Sequence, residues 1–225
     1  MTRYGFRSAI GAFFHGSLDT LSARLPAGLR ALESYPGLGV FALTVFDFDA
    51  SEVGAYREFV ASILVPPYAR RGQELPHASF FPIVLATTTE ASRAHAQERW
   101  RLPKLERCAQ IDLKLHAEGA HAGLSIEGQR VLSLEVGAEA QAPSRRLYQC
   151  FSADLEGVHR VDIAIEGALS EHEDERGELE LSEHPLARSL APLVEDLIPF
   201  REQVMSAGEQ RFTTLTLHSP RRETA

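Results

Sequence analysis

Lysine is rare in this chain, and one of its two copies lies in a segment that suits a reactive amine. The lysines are Lys104 and Lys114. Lys104 follows Pro103 in the segment RLPKLER and has Leu102 and Leu105 close by on either side. A lysine amine, unlike a guanidinium group, can lose its proton and attack a carbonyl carbon to form a Schiff base. Its ordinary pKa is about 10.4, and lowering it to about 7 costs roughly 4–5 kcal/mol, which burial or a neighbouring cation can impose.

The same residues allow a second interpretation, and the local sequence leaves both open. A surface lysine commonly lays its aliphatic stem on a residue such as Pro103 and keeps its ammonium group in water. The single tryptophan of the chain, Trp100, is four residues upstream of Lys104. We interpret Trp100 as a core residue or part of a pocket wall, and a stacking platform for a flat ligand is the less common alternative.

A resemblance to a known family favours the catalytic interpretation of this lysine. The segment ERWRLPKLER resembles the catalytic segment of the acetoacetate decarboxylase family, in which an acid precedes Pro-Lys-Lys. Glu98, Pro103 and Lys104 match that pattern. Three further segments resemble the family in the same order along the chain: FFHGSLDTLSARLPAGL, VGAYREFVASILVP and RGELELSEHPLARSLAPL. The resemblance implies an α+β, mostly β fold, an antiparallel cone-shaped β-barrel with a few packed helices, and Lys104 as the Schiff-base residue.

Two more site residues are carried over from the resemblance. Glu58, in GAYREF, matches a family glutamate and is expected to orient the substrate or to manage protons near the amine. The alternative for Glu58 is a charged residue at the start of a strand. Arg7, in YGFRSAI, matches an early family arginine and is expected, with Trp100, to bind the substrate; the alternative is a surface arginine near the terminus.

The chain departs from the family pattern at two positions. Leu105 stands where the family has a second lysine, so the cation route to a lowered pKa of Lys104 is lost, while burial remains and Leu105 is expected to strengthen it. A second family glutamate aligns with Leu43. We therefore expect a pocket that is more apolar than the family's, with a preference for a larger and less polar substrate.

The elements that must position these residues are mostly strands. Apolar runs predict buried strands over 38–48, 56–65 and 79–88. After residue 109, segments in which apolar and polar residues alternate predict a β-meander followed by half-buried strands. The helices are expected over 16–26, over 89–100 with Thr89 as its cap, and over the segment HPLARSLAPLVEDLIPF with a kink at Pro192; QRFTTLTLHS is expected to be the last strand.

Composition and charge argue against several classes of protein, among them proteins that bind nucleic acids and proteins that span membranes. A net charge of −8 argues against nucleic acid and against an anionic membrane surface, and the longest apolar runs are far shorter than the roughly 20 residues of a membrane span. Two cysteines without an export signal indicate free thiols in a cytoplasmic protein. The histidines form no convincing metal set, and an ion in the acidic loop around His172 is the weaker alternative to a solvated hairpin tip.

These observations predict one domain over residues 1–225 with a cofactor-independent chemistry. We expect a lyase that acts on a small oxo acid through a Schiff base on Lys104, most simply a decarboxylase. An aldolase or dehydratase of the same fold, using the same intermediate, stays open, as does a non-catalytic relative that binds a small molecule. No cofactor and no metal are expected, and the resemblance implies a homo-oligomer.

Overall fold

The computed structural model of the chain describes residues 2–69, 71–103 and 105–218, so Lys104 lies outside the described residues. The helices are α1 (Leu18–Ser22), α2 (Glu90–Trp100) and α3 (Pro185–Leu190), and a 3-10 turn spans Ala191–Leu193. The strands are β1 (Thr2–Ser17), β2 (Glu33–Tyr35), β3 (Leu38–Ala50), β4 (Tyr56–Leu64), β5 (Ala78–Thr87), β6 (Gln110–His116), β7 (Gly119–Ile126), β8 (Gln129–Gly137), β9 (Ala142–Asp154), β10 (Gly157–His172), β11 (Glu178–Leu181), β12 (Arg201–Phe212) and β13 (Thr216–Leu217).

Seven of these strands close into a barrel. Their order is β1, β12, β10, β9, β5, β4 and β3, and β3 returns to pair with β1. The pairings are antiparallel except that of β5 with β9, which is parallel where Ala78 lies beside Tyr148. The mostly β barrel with a few helices that the sequence predicts is therefore confirmed, with one parallel pairing as the difference from an entirely antiparallel barrel.

A second sheet covers part of the outside of the barrel. It has four strands in the order β11, β8, β7 and β6, and β6 to β8 form the meander that the alternating segments predict. Alternate residues of β1, β3 and β4 point out of the barrel and pack against this sheet. The core between the barrel and the sheet contains Phe14, Phe41, Leu43, Ile63, Leu124 and Leu134.

Helix α2 begins and ends as its sequence signals predict. The Thr89 side chain accepts a hydrogen bond from the backbone N–H of Ser92 at 3.2 Å, which satisfies one of the free donors of the first turn. After Trp100 the chain takes a left-handed conformation at Arg101, with φ of 55°, and so leaves the helix before Pro103. The helix directly follows β5 and packs His95, Ala96 and Trp100 against the barrel interior.

The structure differs from the sequence predictions in the third helix, in the last strands and in the first strand. The helix predicted over residues 184–200 is limited to α3 and its 3-10 turn, because Pro192 lacks the N–H that a continuing helix needs. The strand predicted over QRFTTLTLHS is instead the end of β12, which begins at Arg201, followed after Phe212 by the short β13. The first strand, β1, has no counterpart in the sequence predictions, although it pairs with both β3 and β12 and so closes the barrel.

Candidate functional site

The barrel encloses a cavity with a volume of about 140 Å³ and a mostly apolar surface. On β4 the side chains alternate, so that Tyr56, Glu58, Val60 and Ser62 face this cavity. The apolar wall includes Phe46, Leu85, Val161, Ile163, Ile165 and Met205. An apolar cavity of about 150 Å³ is large enough to bind benzene, so this one suits a ligand of few atoms.

Glu58 supplies the one carboxyl group among the described residues that line the cavity. It lies between Phe46 of β3 and Thr87 of β5 in the sheet register. Burial raises its pKa to about 7, and a hydrogen bond from the Tyr56 hydroxyl at 3.4 Å partly opposes that shift. A carboxyl group with a pKa near 7 can both give and take a proton at neutral pH.

A second polar cluster faces the cavity from β1 and α2. The indole N–H of Trp100 donates to the Tyr4 hydroxyl at 3.1 Å, and that hydroxyl lies 2.5 Å from Nε2 of His95. Burial raises the pKa of Tyr4 to about 12, so it stays a hydroxyl at neutral pH. Burial lowers the pKa of His95, which favours the neutral imidazole. Trp100 and Glu58 thus lie in the wall of the same cavity.

Lys104 itself lies outside the described residues, so its predicted position beside Glu58 stays a prediction. The residues on either side of it reach the barrel. Leu102 is part of the cavity wall. The backbone N–H of Leu105 donates to the carbonyl of Leu85, a lining residue, at 3.3 Å. Lys114, by contrast, is exposed on β6.

The Leu105 side chain faces away from the cavity, and its expected effect on the amine of Lys104 stays a prediction because Lys104 lies outside the described residues. The side chain of Leu105 packs against the core between the barrel and the second sheet, and it is not among the residues that line the cavity. A cation does reach this segment, because the guanidinium of Arg93 lies 3.4 Å from the Leu105 carbonyl. That cation is also paired with Glu90 at 2.6 Å, so its charge is partly neutralised.

Arg7 lies outside the cavity. It is the extra residue of a β-bulge, since Phe6 pairs with Phe48 while Ser8 pairs with Asp47. A bulge turns one side chain out of the regular alternation. The Arg7 side chain is 62% exposed, and its guanidinium lies 3.4 Å from a carboxylate oxygen of Asp47. The expected placement of this arginine in the substrate pocket is therefore not what the structure has, and the surface alternative describes it.

Leu43 also points away from the cavity. Its replacement of a family glutamate therefore does not explain why the cavity is apolar. Leu43 is fully buried in the core beneath the second sheet. The β3 residues that face the cavity are Thr44 and Phe46, and Phe46 lies directly across from Glu58. The cavity is mostly apolar because of residues such as Phe46, and the expected preference for a larger and less polar substrate stays a prediction.

Sequence reasoning missed several residues of the cavity wall. Tyr56 was detectable, because it is two residues before Glu58 and a strand places such residues on one face. Tyr4 and His95 come from a strand and a helix face that carry no sequence signal for a site. Cys150 also faces the cavity, and burial together with the charge of Glu58 raises its pKa to about 12, so it is a poor nucleophile.

One cluster outside the cavity has groups that suit a metal ion. The nearest ligand atoms of Asp154, Glu156 and His159 lie within 4.8 Å of one another. His159 is hydrogen-bonded to Asp154 at 2.9 Å, and Arg101 forms ion pairs with both acids. Since a cation already occupies this position, we describe the cluster as an ion-pair network. Among the described residues, no helix combines the length and the apolar character needed to cross a membrane.

Comparison with solved structures places the fold with known proteins. No protein-family model and no curated protein sequence matches the chain. The enduracididine biosynthesis enzyme MppR, solved with HEPES bound, is similar with a TM-score of 0.67 and 13% sequence identity, over 97% of this chain and 88% of that one.

Two further structures carry the name of the family that the sequence resembles. The acetoacetate decarboxylase of Legionella pneumophila subsp. pneumophila str. Philadelphia 1 has a TM-score of 0.64 and 15% identity, over 96% of this chain and 87% of that one. An acetoacetate decarboxylase-like enzyme of Sphingomonas wittichii RW1 has a TM-score of 0.63 and 16% identity, over 97% and 93%. The resemblance noted in the sequence is confirmed at the level of the fold.

Proposed function

We propose that this chain is a cofactor-independent lyase that acts on a small oxo acid through a Schiff base on Lys104. The observation that carries the proposal is a small, mostly apolar cavity whose one described carboxyl group, Glu58, has a pKa of about 7. The segment that holds Lys104 borders this cavity through Leu102, and the backbone of Leu105 is hydrogen-bonded to the lining residue Leu85. An amine in such surroundings loses its proton more readily than one in water.

The chemistry follows from the properties of an imine. The neutral amine attacks the oxo carbon, water leaves, and the resulting iminium accepts the electron pair released when a carbon–carbon bond breaks. In a decarboxylase that bond releases CO₂ and leaves an enamine, whose carbon must then take up a proton. Glu58 is suited to the proton transfers that form and hydrolyse the imine, because its pKa lies close to neutral pH.

An aldolase or dehydratase reaction is the second candidate, and a specific observation favours it. The similar enzyme MppR has been solved with pyruvate and with the condensation product of pyruvate and imidazole 4-carboxaldehyde. In such a reaction the enamine attacks an aldehyde instead of taking up a proton. A non-catalytic binding protein is the third candidate, since Leu105 occupies the position of the family's second lysine and packs outside the cavity.

Reductive trapping tests the shared intermediate of the two enzyme candidates. We expect that incubation with pyruvate or acetoacetate and borohydride adds the mass of the reduced adduct at Lys104, located by peptide mass spectrometry. The variant Lys104→Arg keeps the charge but cannot form an imine, so it should lose both the adduct and turnover. The matched control is Lys114→Arg, because Lys114 is exposed on β6. Turnover that survives in Lys104→Arg would rule out the Schiff-base mechanism.

A further inference from the structure

The Tyr4 hydroxyl is at the centre of a cluster that the Schiff-base step does not use. An indole N–H can only donate, so the Tyr4 oxygen must accept the hydrogen bond from Trp100 at 3.1 Å. The single hydrogen of the Tyr4 hydroxyl then has two possible acceptors. One is Nε2 of His95, 2.5 Å away, and the other is a molecule in the cavity.

The protonation state of His95 selects between these two acceptors. When Nε2 of His95 carries no hydrogen, it accepts the hydrogen of the Tyr4 hydroxyl. When Nε2 carries a hydrogen, it donates to the Tyr4 oxygen, which already accepts from Trp100, and the hydroxyl hydrogen is free to turn into the cavity. A proton that arrives on His95 therefore becomes available inside the cavity through Tyr4.

His95 also connects this cluster to solvent. Its Nε2 lies 3.6 Å from a carboxylate oxygen of Glu52, whose side chain is 49% exposed. The Thr2 hydroxyl holds the other oxygen of Glu52 at 3.2 Å. Burial, the largest effect, and the positive charge of Arg99 lower the pKa of His95. The negative charges of Glu52 and Glu98 raise it. The net pKa is lowered, so His95 is mostly a neutral proton acceptor at neutral pH.

We propose that Tyr4, His95 and Glu52 form a proton relay between the cavity and solvent, in which Tyr4 is the group that meets the substrate. The proposal rests on the lysine-imine function stated above. When the iminium forms, the Tyr4 oxygen takes a proton from the carbon beside it while the hydroxyl hydrogen moves to Nε2 of His95, and the electron pair of the broken C–H bond makes the enamine. After loss of CO₂ the relay runs in reverse, and the enamine carbon gains its proton from Tyr4 as His95 returns one to the Tyr4 oxygen. His95 exchanges its proton with water at Glu52.

The fluorescence of Trp100, the single tryptophan, tests the relay without any turnover. Its ring lies 6.5 Å from the ring of His95, and a protonated imidazole at that distance quenches indole emission. We expect a pH transition with a midpoint below 6.5 in the unaltered protein, at lower pH than any transition of Glu58 near pH 7. The transition should vanish in His95→Gln. In Glu52→Gln it should move down by about half a pH unit, because an anion that favours the imidazolium is removed.

A matched histidine variant serves as the control for the fluorescence experiment. His116 is exposed on β6 and hydrogen-bonded to Glu135 at 2.6 Å, far in sequence from the cluster, so His116→Gln should keep the transition. A transition below pH 6.5 that persists in His95→Gln, or that does not move in Glu52→Gln, would overturn the relay.

Proton exchange into pyruvate tests the step at the substrate. An enamine equilibrium exchanges the methyl hydrogens of pyruvate for deuterium in D₂O, which proton NMR measures directly. We expect Tyr4→Phe to slow this exchange about 100-fold, the lower end of the usual contribution of an acid–base group, while borohydride still traps pyruvate on Lys104. Tyr35→Phe, at an exposed position, should leave both unchanged.

The two readouts separate a failure of the relay from a failure of the proposed function. If Tyr4→Phe traps pyruvate and exchanges its hydrogens at the rate of the unaltered protein, the relay is wrong and the Schiff-base function stands. If the unaltered protein traps neither pyruvate nor acetoacetate, the proposed function fails, and with it the part of the relay that meets a substrate. The fluorescence transition then decides alone whether His95 and Glu52 exchange protons at the cavity.

Discussion

At the scale of single residues, the cavity keeps a carboxyl group where an apolar side chain would pack more favourably. Glu58 is enclosed by β3, β4 and β5, and among the described residues its side chain accepts a hydrogen bond from the Tyr56 hydroxyl at 3.4 Å. Such a weak contact does not replace the water that a carboxylate loses on burial. The result is a pKa of about 7, and this shift has a consequence for stability as well as for chemistry.

The shift predicts that Glu58→Gln stabilises the protein in a pH-dependent way. The folded state holds the Glu58 proton up to about pH 7, whereas the unfolded state releases it near its ordinary pKa of 4.5. Between those values the folded state binds more protons, so the free energy of unfolding falls as the pH rises, by at most about 3 kcal/mol. Urea unfolding should show Glu58→Gln and the unaltered protein nearly equal at pH 4.5, with the variant more stable at pH 8.

The control for this measurement is an acid of the surface. Glu33 is exposed on β2, so Glu33→Gln should change stability by no more than about 0.5 kcal/mol at either pH. An equal gap between Glu58→Gln and the unaltered protein at pH 4.5 and pH 8 would contradict the raised pKa.

At the scale of elements, a buried carboxylate joins the barrel to the second sheet. Glu202 of β12 has no exposed surface. Its oxygens accept hydrogen bonds from three backbone N–H groups: those of Arg176 at 2.7 Å and Gly177 at 3.0 Å, in the segment before β11, and that of Gly137 at the end of β8. Hydrogen bonds from backbone N–H groups to an ionised carboxylate are shorter and stronger than hydrogen bonds between neutral groups.

We expect Glu202→Gln to lower the free energy of unfolding by about 1–3 kcal/mol, because an amide nitrogen would face one N–H and leave it unpaired. Glu202→Ala should cost more, since all three donors lose their acceptor. Thermal unfolding measures both, with Glu178→Gln on the exposed side of β11 as the control. A Glu202→Gln variant as stable as the control would show that the three hydrogen bonds contribute nothing net.

The elements that could be predicted from the sequence are those marked by a continuous apolar run or by clear start and end signals. β3, β4 and β5 read as buried strands, and α2 could be predicted from its cap and its end. β1 was not predicted, because its stretch Ala9–Phe13 is buried on both faces and contains Gly11, so it shows no alternation. β12 was not predicted over most of its length, since polar side chains such as Gln203 and Gln210 face the barrel interior.

The candidate site was predictable only where residues near in sequence share a face. Glu58 and Trp100 were found because each lies in a segment that resembles a family motif. Tyr4 and His95 are 91 positions apart and meet only because β1 closes the barrel beneath α2. The directions of Arg7 and Leu43 depended on a bulge and on the register of β3, and neither can be derived from one sequence.

At the scale of the whole molecule, the barrel depends on a pairing between the two ends of the chain. Thr2 of β1 lies beside Phe212 of β12, and the pairing continues to Phe13 and Arg201. β12 also contributes Met205 to the cavity wall. Contacts between residues so far apart in sequence are formed late and slowly, since a long loop must close before they add stability.

This topology predicts that a chain ending at residue 200 does not form the cavity. Since β12 lies between β1 and β10, its loss would leave one edge of each strand unpaired and expose apolar side chains of the barrel to water. The buried hydrogen bonds of Glu202 would also be absent. We expect such a chain to lose the cooperative urea transition seen by circular dichroism and to shift the emission of Trp100 to longer wavelength. A chain ending at residue 218 keeps all thirteen described strands and is the matched control, so it should unfold like the full chain. A cooperative transition and buried Trp100 in the shorter chain would show instead that the remaining strands fold without barrel closure.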